Sequence, residues 1–279
     1  MAHDLDPRLN AFRSDRADER LRDRVDAKSF VAGKHMRIAV PVAPILKVPQ
    51  VDAVQTSQAL LGEDCLVFDT ADGFCWVQLQ SDGYVGYVEQ RFLLADQALH
   101  THRVSVASTL AFPKPDLRSR PASQLPLNAL VSVIANHGAF SEISNGAFVF
   151  SIHLAPIDIV KPDFVAVAEM FLNTPYLWGG KTIHGIDCSG LVQTALAASG
   201  ISAPRDSDMQ ERQLGRLAND KDYRRGDLVY WKGHVGIMID SKNLLHANGH
   251  FMSTVIEPLS DAVQRSIENG KAITSIKRL

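Results

Sequence analysis

Cysteine is scarce in this chain, and long apolar runs are missing. Its 279 residues contain only three cysteines. No apolar run reaches the length that is needed to cross a bilayer. The net charge of −2 gives no electrostatic reason to expect a nucleic acid or an anionic membrane as a partner. The hydrophobic content of 46% instead indicates a globular protein that is long enough for two or three domains.

The first 34 residues carry many charges of both signs and no apolar core of a secretory signal, which predicts a cytoplasmic protein. This segment is predicted either to form a helix that packs on a neighbouring domain or to be a solvated arm. Cys65 and Cys75 lie in strand-like alternation and are predicted to be core thiols. A disulfide between them is conceivable across a hairpin, but a cytoplasmic chain would keep it reduced.

The most informative motif is DCSG at residues 187–190, which precedes an apolar run and then Gly200. The pattern predicts that Cys188 lies in the first turn of a buried helix. Free backbone N–H groups and the positive end of the helix dipole favour a thiolate at that position. Because a free cysteine is also often just a small buried apolar residue, the motif indicates a nucleophile only together with partners elsewhere.

Two histidines are candidates for those partners. His234 precedes residues 235–239, whose β-branched side chains alternate as in a half-buried strand, and residues 244–247 are predicted to return as a second strand that carries His246. A thiol peptidase needs a nucleophile, an imidazole that takes and returns its proton, and a polar group that orients this imidazole. Cys188, His234 and His246 could supply these in that order.

The same side chains include zinc ligands. A zinc site built from Asp187, Cys188, His234 and His246 is a possible alternative, since cysteine, histidine and carboxylate all bind zinc. The residues lack the close pairing of cysteines or histidines that usually marks such a site. The sequence therefore favours a peptidase site that needs no metal and no organic cofactor.

The C-terminal part of the chain resembles the NlpC-type bacterial cell-wall peptidases, which are papain-like cysteine enzymes. Six short blocks carry the resemblance, and together they are far more specific than any one of them. The blocks are YLWGG (176–180), DCSGLV (187–192), PRDSDMQ (204–210), RGDLV (225–229), HVGI (234–237) and LHA (245–247). The resemblance implies an α+β papain-like domain with Cys188 as nucleophile, His234 as general base and acid, and His246 as the residue that orients the imidazole.

The resemblance also implies which residues bind substrate. Residues 205–207 lie where the family binds the D-glutamate carboxylate or the substrate backbone; Arg205 and Ser207 suit a carboxylate, whereas Asp206 suits an ammonium group. Asp187 and Ser189 are predicted to cap the helix or to contact substrate, and capping is favoured for Asp187. Tyr176 and Trp178 are predicted to line a pocket beside the thiol, with core packing as an alternative for Trp178.

The sequence pattern of the N-terminal half is typical of small β-barrels. Residues 36–94 contain short β-branched and aromatic runs with hairpin signals at Asp72-Gly73 and Asp82-Gly83, and a looser version recurs at 103–159. Both resemble bacterial Src-homology-3 domains. The predicted domains are an arm (1–34), a first barrel (35–97), a second, degenerate barrel (98–160) and the catalytic domain (161–279).

In relatives of this architecture a barrel closes one end of the groove, so that the enzyme takes peptides with a free amino end. Glu63 and Tyr84 are the first-barrel residues that are predicted to receive this ammonium group. The expected activity is hydrolysis of the γ-D-glutamyl-diamino acid bond in murein peptides during cell-wall recycling, with the peptide as sole expected partner. Two alternatives stay open: a non-catalytic peptidoglycan-binding protein, and an acyltransferase that uses the same thioester chemistry.

Overall fold

The chain divides into two units, Met1–Ile157 and Asp158–Leu279, in a computed structural model that describes residues 5–95, 99–218 and 222–279. The N-terminal unit is built almost entirely of strands, and the C-terminal unit combines helices with a single large sheet. Among the described residues, no helix has both the length and the apolar character of a membrane span.

The described part of the N-terminal arm, residues 5–34, is neither an α-helix nor a solvated segment. It contains two short parallel strands and one turn of 3₁₀ helix: β1 (Ala17–Asp18), β2 (Phe30–Val31) and Glu19–Leu21. Ala11 is buried in a cluster with Phe68 and Trp76 of the first barrel. Arg13 stacks on Trp76, 4.4 Å from the ring centroid, and pairs with Asp69 at 2.6 Å. The helical prediction fails because these tertiary contacts outweigh the local propensity.

A seven-stranded antiparallel sheet forms the first barrel. Its strands are β3 (Lys34–Ile38), β4 (Val42–Leu46), β5 (Gln55–Leu60), β6 (Asp64–Ala71), β7 (Phe74–Leu79), β8 (Val85–Glu89) and β9 (Leu93–Leu94), in the order β5-β4-β8-β7-β6-β3-β9. The β6–β7 turn lies at Asp72-Gly73, where both residues have positive φ, as the hairpin signal predicts. Cys65 and Cys75 are buried free thiols of this core, in agreement with their prediction.

The rest of the N-terminal unit repeats this plan more loosely. Its strands are β10 (His102–Val104), β11 (Ser108–Phe112), β12 (Ser123–Pro126), β13 (Leu130–Val131), β14 (Val133–His137), β15 (Phe140–Ile143), β16 (Phe148–Phe150) and β17 (Leu154–Pro156). They form a three-stranded and a five-stranded sheet. Gly138 has positive φ in the β14–β15 turn, as Gly73 has in the first barrel, and each half ends in a strand, a 3₁₀ turn and a last short strand. The predicted duplication itself stays a prediction.

The C-terminal unit packs helices against a six-stranded sheet. Its helices are α1 (Phe164–Glu169), α2 (Cys188–Ala198), α3 (Ser207–Gln213) and α4 (Leu259–Glu268). Its strands are β18 (Lys181–Thr182), β19 (Gly185–Ile186), β20 (Arg216–Leu217), β21 (Leu228–Trp231), β22 (His234–Met238), β23 (Asn243–Asn248), β24 (Ser253–Pro258) and β25 (Ile273–Arg278). The sheet order is β20-β25-β21-β22-β23-β24, and α2 packs on β22 and β23. The predicted nucleophile helix therefore lies directly on the strands that carry the two histidines.

Candidate active site

Cys188 is the first residue of α2. Asp187 caps this helix, as predicted, because its Oδ1 atom accepts a hydrogen bond from the N–H of Gly190 at 2.7 Å. A Cβ atom on Gly190 would lie 2.2 Å from the carbonyl oxygen of Gly180, so the residue two after the cysteine has to be glycine. The DCSG motif is thus explained by a cap and by the close approach of a loop to the first turn.

Asp187 also forms a buried ion pair. Its carboxylate accepts hydrogen bonds from Arg205 at 2.6 and 3.0 Å and from the N–H of Gly179 at 2.7 Å. Arg205 is only 1% exposed, and it also donates to the hydroxyl of Ser189 at 2.9 Å. The predicted contact between the Arg205 guanidinium and a substrate carboxylate is therefore wrong, because the guanidinium faces Asp187 inside the protein. Arg205 and Ser189 support the start of α2.

The other predicted binding residues of this domain are more accessible. Asp206 and Ser207 are partly exposed at the start of α3, where Asp206 is the N-cap residue. Buried Gln210 ties this helix to the nucleophile helix, because its side-chain amide donates to the carbonyl oxygen of Ser189 at 2.9 Å. Gln210 belongs to the PRDSDMQ block, but it was not predicted to be a site residue. Its bond to α2 keeps the start of α3 beside the first turn that carries Cys188.

Tyr176 is partly buried beside the thiol. Burial and the nearby Cys188 raise the pKa of the Tyr176 phenol above its usual value, so this group is a neutral hydrogen-bond donor. Trp178 in the same loop is 62% exposed. The alternative of core packing for Trp178 is therefore wrong.

Glu63 and Tyr84 belong to the N-terminal unit. Glu63 is partly buried between β5 and β6, and Tyr84 is 4% exposed within the core of the first barrel. Their proposed contact with an ammonium group stays a prediction.

The two histidines meet across neighbouring strands. β22 and β23 pair antiparallel with Ile237 opposite Leu245, which brings His234 and His246 to one face of the sheet. The Nε2 atom of His234 lies 2.9 Å from Nδ1 of His246. The backbone N–H of Val235, the residue after His234, favours the thiolate of Cys188. The structure thus places the two predicted histidines in contact and the start of β22 beside Cys188.

A fourth member of this site, Glu257 on β24, was not predicted from the sequence. Its Oε1 atom lies 2.7 Å from Nε2 of His246, and its carboxylate also binds Arg265 of α4. Glu257 is 8% exposed. Burial acts to raise the pKa of this carboxyl, but the hydrogen bonds from His246 and Arg265 prevail and lower it to about 2. Glu257 is therefore an ionised group that can only accept hydrogen bonds.

The charge of Glu257 decides where the protons of both imidazoles lie. In neutral rings, the acceptor-only Glu257 places the proton of His246 on Nε2, so that Nδ1 of His246 accepts from the Nε2–H of His234. The amide nitrogen of Asn248 also lies 3.0 Å from Nε2 of His246, but an amide nitrogen only donates, so it makes no hydrogen bond to a protonated Nε2. His234 is left with an unprotonated Nδ1 atom, which is the form that a general base requires.

Burial opposes charge on both Cys188 and His234. It raises the pKa of the Cys188 thiol to about 12 and lowers the pKa of the His234 imidazole to about 3. The N–H groups of Val235 and Ser189 act in the opposite direction and favour the thiolate. The site thus sets burial against donors that stabilise negative charge on sulfur. A nucleophilic cysteine at a helix N-terminus, a base and an orienting chain on a sheet define a papain-like cysteine peptidase domain.

Comparisons with known proteins identify the family of this domain. Residues 173–267 match the model of the NlpC/P60 family, and residues 45–93 match that of the bacterial dipeptidyl-peptidase Sh3 domain. The gamma-D-glutamyl-L-lysine dipeptidyl-peptidase of Bacillus subtilis (strain 168) is 29% identical over 238 residues, which are 76% of this chain and 78% of that protein. The chain therefore carries an NlpC/P60 cysteine peptidase domain that follows a bacterial Src-homology-3 domain.

Two further proteins are similar to most of this chain. The gamma-D-glutamyl-L-lysine dipeptidyl-peptidase of Bacillus cereus (strain ATCC 10987 / NRS 248) is 28% identical over 239 residues, which are 73% of this chain and 70% of that protein. The crystal structure of an NlpC/P60 family protein from Bacillus cereus ATCC 10987 covers 88% of this chain and 99% of its own, with a TM-score of 0.75 and 21% identity. This second likeness shows that the two-part fold is shared.

Proposed function

We propose that this peptidase hydrolyses the γ-D-glutamyl-diamino acid bond of murein peptides that begin with a free L-Ala, and that it does so in the cytoplasm during cell-wall recycling. The observation that carries the proposal is the chain of hydrogen bonds from His234 through His246 to Glu257, which prepares an imidazole base next to a cysteine at a helix N-terminus. Two relatives that span most of the chain and are named gamma-D-glutamyl-L-lysine dipeptidyl-peptidase support the substrate class.

The proposed reaction has two steps. As the Cys188 sulfur attacks the γ-glutamyl carbonyl, Nδ1 of His234 takes the thiol proton, and backbone N–H groups near Cys188 stabilise the negative charge that develops on oxygen. The imidazolium then gives its proton to the amine of the diamino acid, which leaves as the acyl-enzyme forms. Water, deprotonated by the same imidazole, attacks the thioester and releases L-Ala-D-Glu with the free thiol.

Mass spectrometry of four peptides tests this function. L-Ala-γ-D-Glu-L-Lys, L-Ala-γ-D-Glu-meso-diaminopimelate and the N-acetylated form of each are incubated with the protein. We expect L-Ala-D-Glu from the two free-amine peptides and no cleavage of the acetylated ones. Cleavage of acetylated and free peptides at equal rates would contradict the requirement for a free amino end, and cleavage of none would contradict the peptidase function.

The free-amine requirement makes a second prediction. Glu63→Gln combined with Tyr84→Phe removes the proposed charge and hydroxyl, and we expect kcat/KM for L-Ala-γ-D-Glu-L-Lys to fall at least about tenfold, as for the loss of charge-assisted hydrogen bonds. Steady-state kinetics on both variant and parent protein measure this change. Unimpaired cleavage of the free-amine peptide would remove Glu63 and Tyr84 from the binding site.

The hydrogen bonds from His234 through His246 to Glu257 predict that kcat falls by different amounts in different variants. His246→Ala should lower kcat by roughly 10²–10⁴-fold and leave measurable activity, because it disturbs proton transfer and spares the nucleophile. Glu257→Gln should cost less, since its amide oxygen can still accept the proton on His246 Nε2 and keep the same tautomer. Complete loss in His246→Ala, equal to that of a variant without the thiol, would contradict this division of roles.

The lowered pKa of His234 predicts the acid side of the pH profile. A histidine with its ordinary pKa of about 6.5 would lose its basic form between about pH 7 and pH 5. Burial lowers the pKa of His234 to about 3, so kcat/KM should stay level over that interval. Circular dichroism at each pH verifies that the protein stays folded. An acid limb centred near about pH 6.5 would show that the imidazole is solvated in the free enzyme.

A further inference from the structure

A cleft opens beside the histidines of the C-terminal unit. Its volume is about 390 Å³, within the range of about 300–1,000 Å³ that is typical of small-molecule sites. His234 and His246 form one wall, and Arg265, Ser266, Asn269 and Lys271, from α4 and the turn after it, form the other. Whatever lies in this cleft therefore lies next to the imidazole that is proposed to protonate the leaving amine.

The charged side chains that line this cleft are cationic, although the Glu257 carboxylate lies directly behind Arg265 and His246. Among the described residues that line it there is no carboxylate, whereas Arg265 and Lys271 both contribute positive charge. Arg265 is already paired with Glu257. Lys271 is exposed and makes no ion pair within the described parts of the chain. The positive charges of Lys271 and Arg265 both act on His234, where they help to lower the pKa of its imidazole, so both lie within electrostatic reach of the ring.

The backbone beside Lys271 is held in place by the end of α4. The N–H of Gly270 donates to the carbonyl of Ile267 at 2.9 Å, and the N–H of Lys271 donates to the carbonyl of Ser266 at 2.8 Å. These two bonds form a Schellman motif, which requires the positive φ of 70° that Gly270 adopts. The ammonium group is thus carried by an ordered turn at the mouth of the cleft.

The leaving group of the proposed reaction has a matching charge. When the γ-glutamyl bond breaks, the amine that accepts the proton from His234 belongs to the diamino acid, and the carbon bonded to this nitrogen also bears the α-carboxyl group. In a peptide that ends at the diamino acid this group is a free carboxylate, two covalent bonds from the leaving nitrogen. A cation in the cleft beside His234 therefore has the charge to bind it while the nitrogen stays at the imidazole.

We propose that this cleft binds the leaving diamino acid and that Lys271 receives its free α-carboxylate, which makes the enzyme selective for peptides that end at that residue. The proposal rests on the proposed peptidase function. It also links binding to catalysis, because a bound carboxylate neutralises Lys271 and so makes it easier for His234 to take the thiol proton.

Two substrates and two variants test the selectivity. The substrates are L-Ala-γ-D-Glu-L-Lys and the same peptide with an α-carboxamide. The variants are Lys271→Gln and, as a matched control, Lys242→Gln, which removes an exposed lysine from the β22–β23 turn outside the cleft. In the parent protein kcat/KM should be about tenfold higher for the carboxylate, as for one charge-assisted hydrogen bond. Lys271→Gln should lose this preference by slowing the carboxylate substrate alone, and Lys242→Gln should keep it.

Equal rates for both substrates in the parent protein would overturn the proposal. So would a loss in Lys271→Gln that affects both substrates in the same proportion, because Lys271 would then only stabilise the helix end.

Binding of free L-lysine separates this proposal from the peptidase function. Nuclear magnetic resonance titration should show that L-lysine perturbs the His234 and His246 ring signals, that L-lysinamide does so more weakly, and that Lys271→Gln removes the difference. If neither peptide is cleaved but this pattern is seen, the peptidase function fails and the cleft site stands. If the peptides are cleaved but L-lysine does not perturb the rings, the cleft site fails and the peptidase function stands. If no peptide is cleaved and L-lysine does not perturb the rings, both the peptidase function and the cleft site are overturned.

Discussion

Cys188→Ala should abolish turnover of L-Ala-γ-D-Glu-L-Lys, with kcat at least about four orders of magnitude below that of the parent protein. No other cysteine can replace this one, since Cys65 and Cys75 are buried in the core of the N-terminal unit. The loss should be much larger than that of His246→Ala, because without sulfur no acyl-enzyme forms at all. A coupled assay or mass spectrometry of long incubations measures the residual rate.

The fold should survive this change. Alanine at the first position of a helix keeps the N–H groups of α2 and the cap from Asp187, so the thermal midpoint of Cys188→Ala should stay within a few degrees of the parent value. Cys188→Ser is the matched variant, as it keeps the shape and replaces the sulfur with a hydroxyl oxygen. Substantial turnover in folded Cys188→Ala would show that another group forms the covalent intermediate, or that none forms.

Arg205→Ala should produce the largest change in stability, a fall in the free energy of unfolding of about 3–5 kcal/mol. The substitution leaves the Asp187 carboxylate buried without its ion-pair partner and removes the donor to the Ser189 hydroxyl. Because Asp187 also caps α2 and binds Gly179, the damage is centred on the turn that carries Cys188. Urea denaturation, followed by far-ultraviolet circular dichroism, measures the loss.

Arg212→Ala is the matched control for this experiment. Arg212 forms a 3.0 Å ion pair with Asp208 one helical turn away, but both side chains are exposed. Pairs of this kind contribute about 0.3–0.5 kcal/mol, so the control should lie within about 0.5 kcal/mol of the parent protein. If Arg205→Ala cost as little as Arg212→Ala, the Asp187–Arg205 pair would be solvated, and Arg205 would again be a candidate for binding a substrate carboxylate.

The residues that we propose for catalysis each have a local signal in the sequence. Cys188 follows a capping residue and precedes an apolar run, and both histidines lie in short alternating segments that are typical of strands. The turns at Asp72-Gly73 and Asn136-His137-Gly138 were predictable for the same reason, since positive φ at a hairpin selects glycine and asparagine or aspartate.

Other features depend on contacts between distant segments. Glu257 looks like an ordinary polar residue at the end of a strand, and only the pairing of Leu244 with Glu257 brings it next to His246. Arg205 was assigned to substrate on its charge, and only its burial shows that Asp187 is its partner. The predictions for the N-terminal arm were wrong for a similar reason, since the structure of the arm depends on contacts with Trp76 and Asp69. Register and burial are not encoded in local composition.

The hydrogen-bonded chain from His234 to Glu257 crosses three adjacent strands, β22, β23 and β24, and each strand contributes one member. Neighbouring members sit diagonally across a strand pair, so the pairing of the strands sets their distance in space and the hairpin loops set their distance in sequence. Insertions or deletions in those loops could therefore change the number of residues between the three members without breaking the hydrogen bonds that join them. Distant homologues that share this proton path should be sought by strand register and side-chain face, since a pattern of fixed intervals would overlook them.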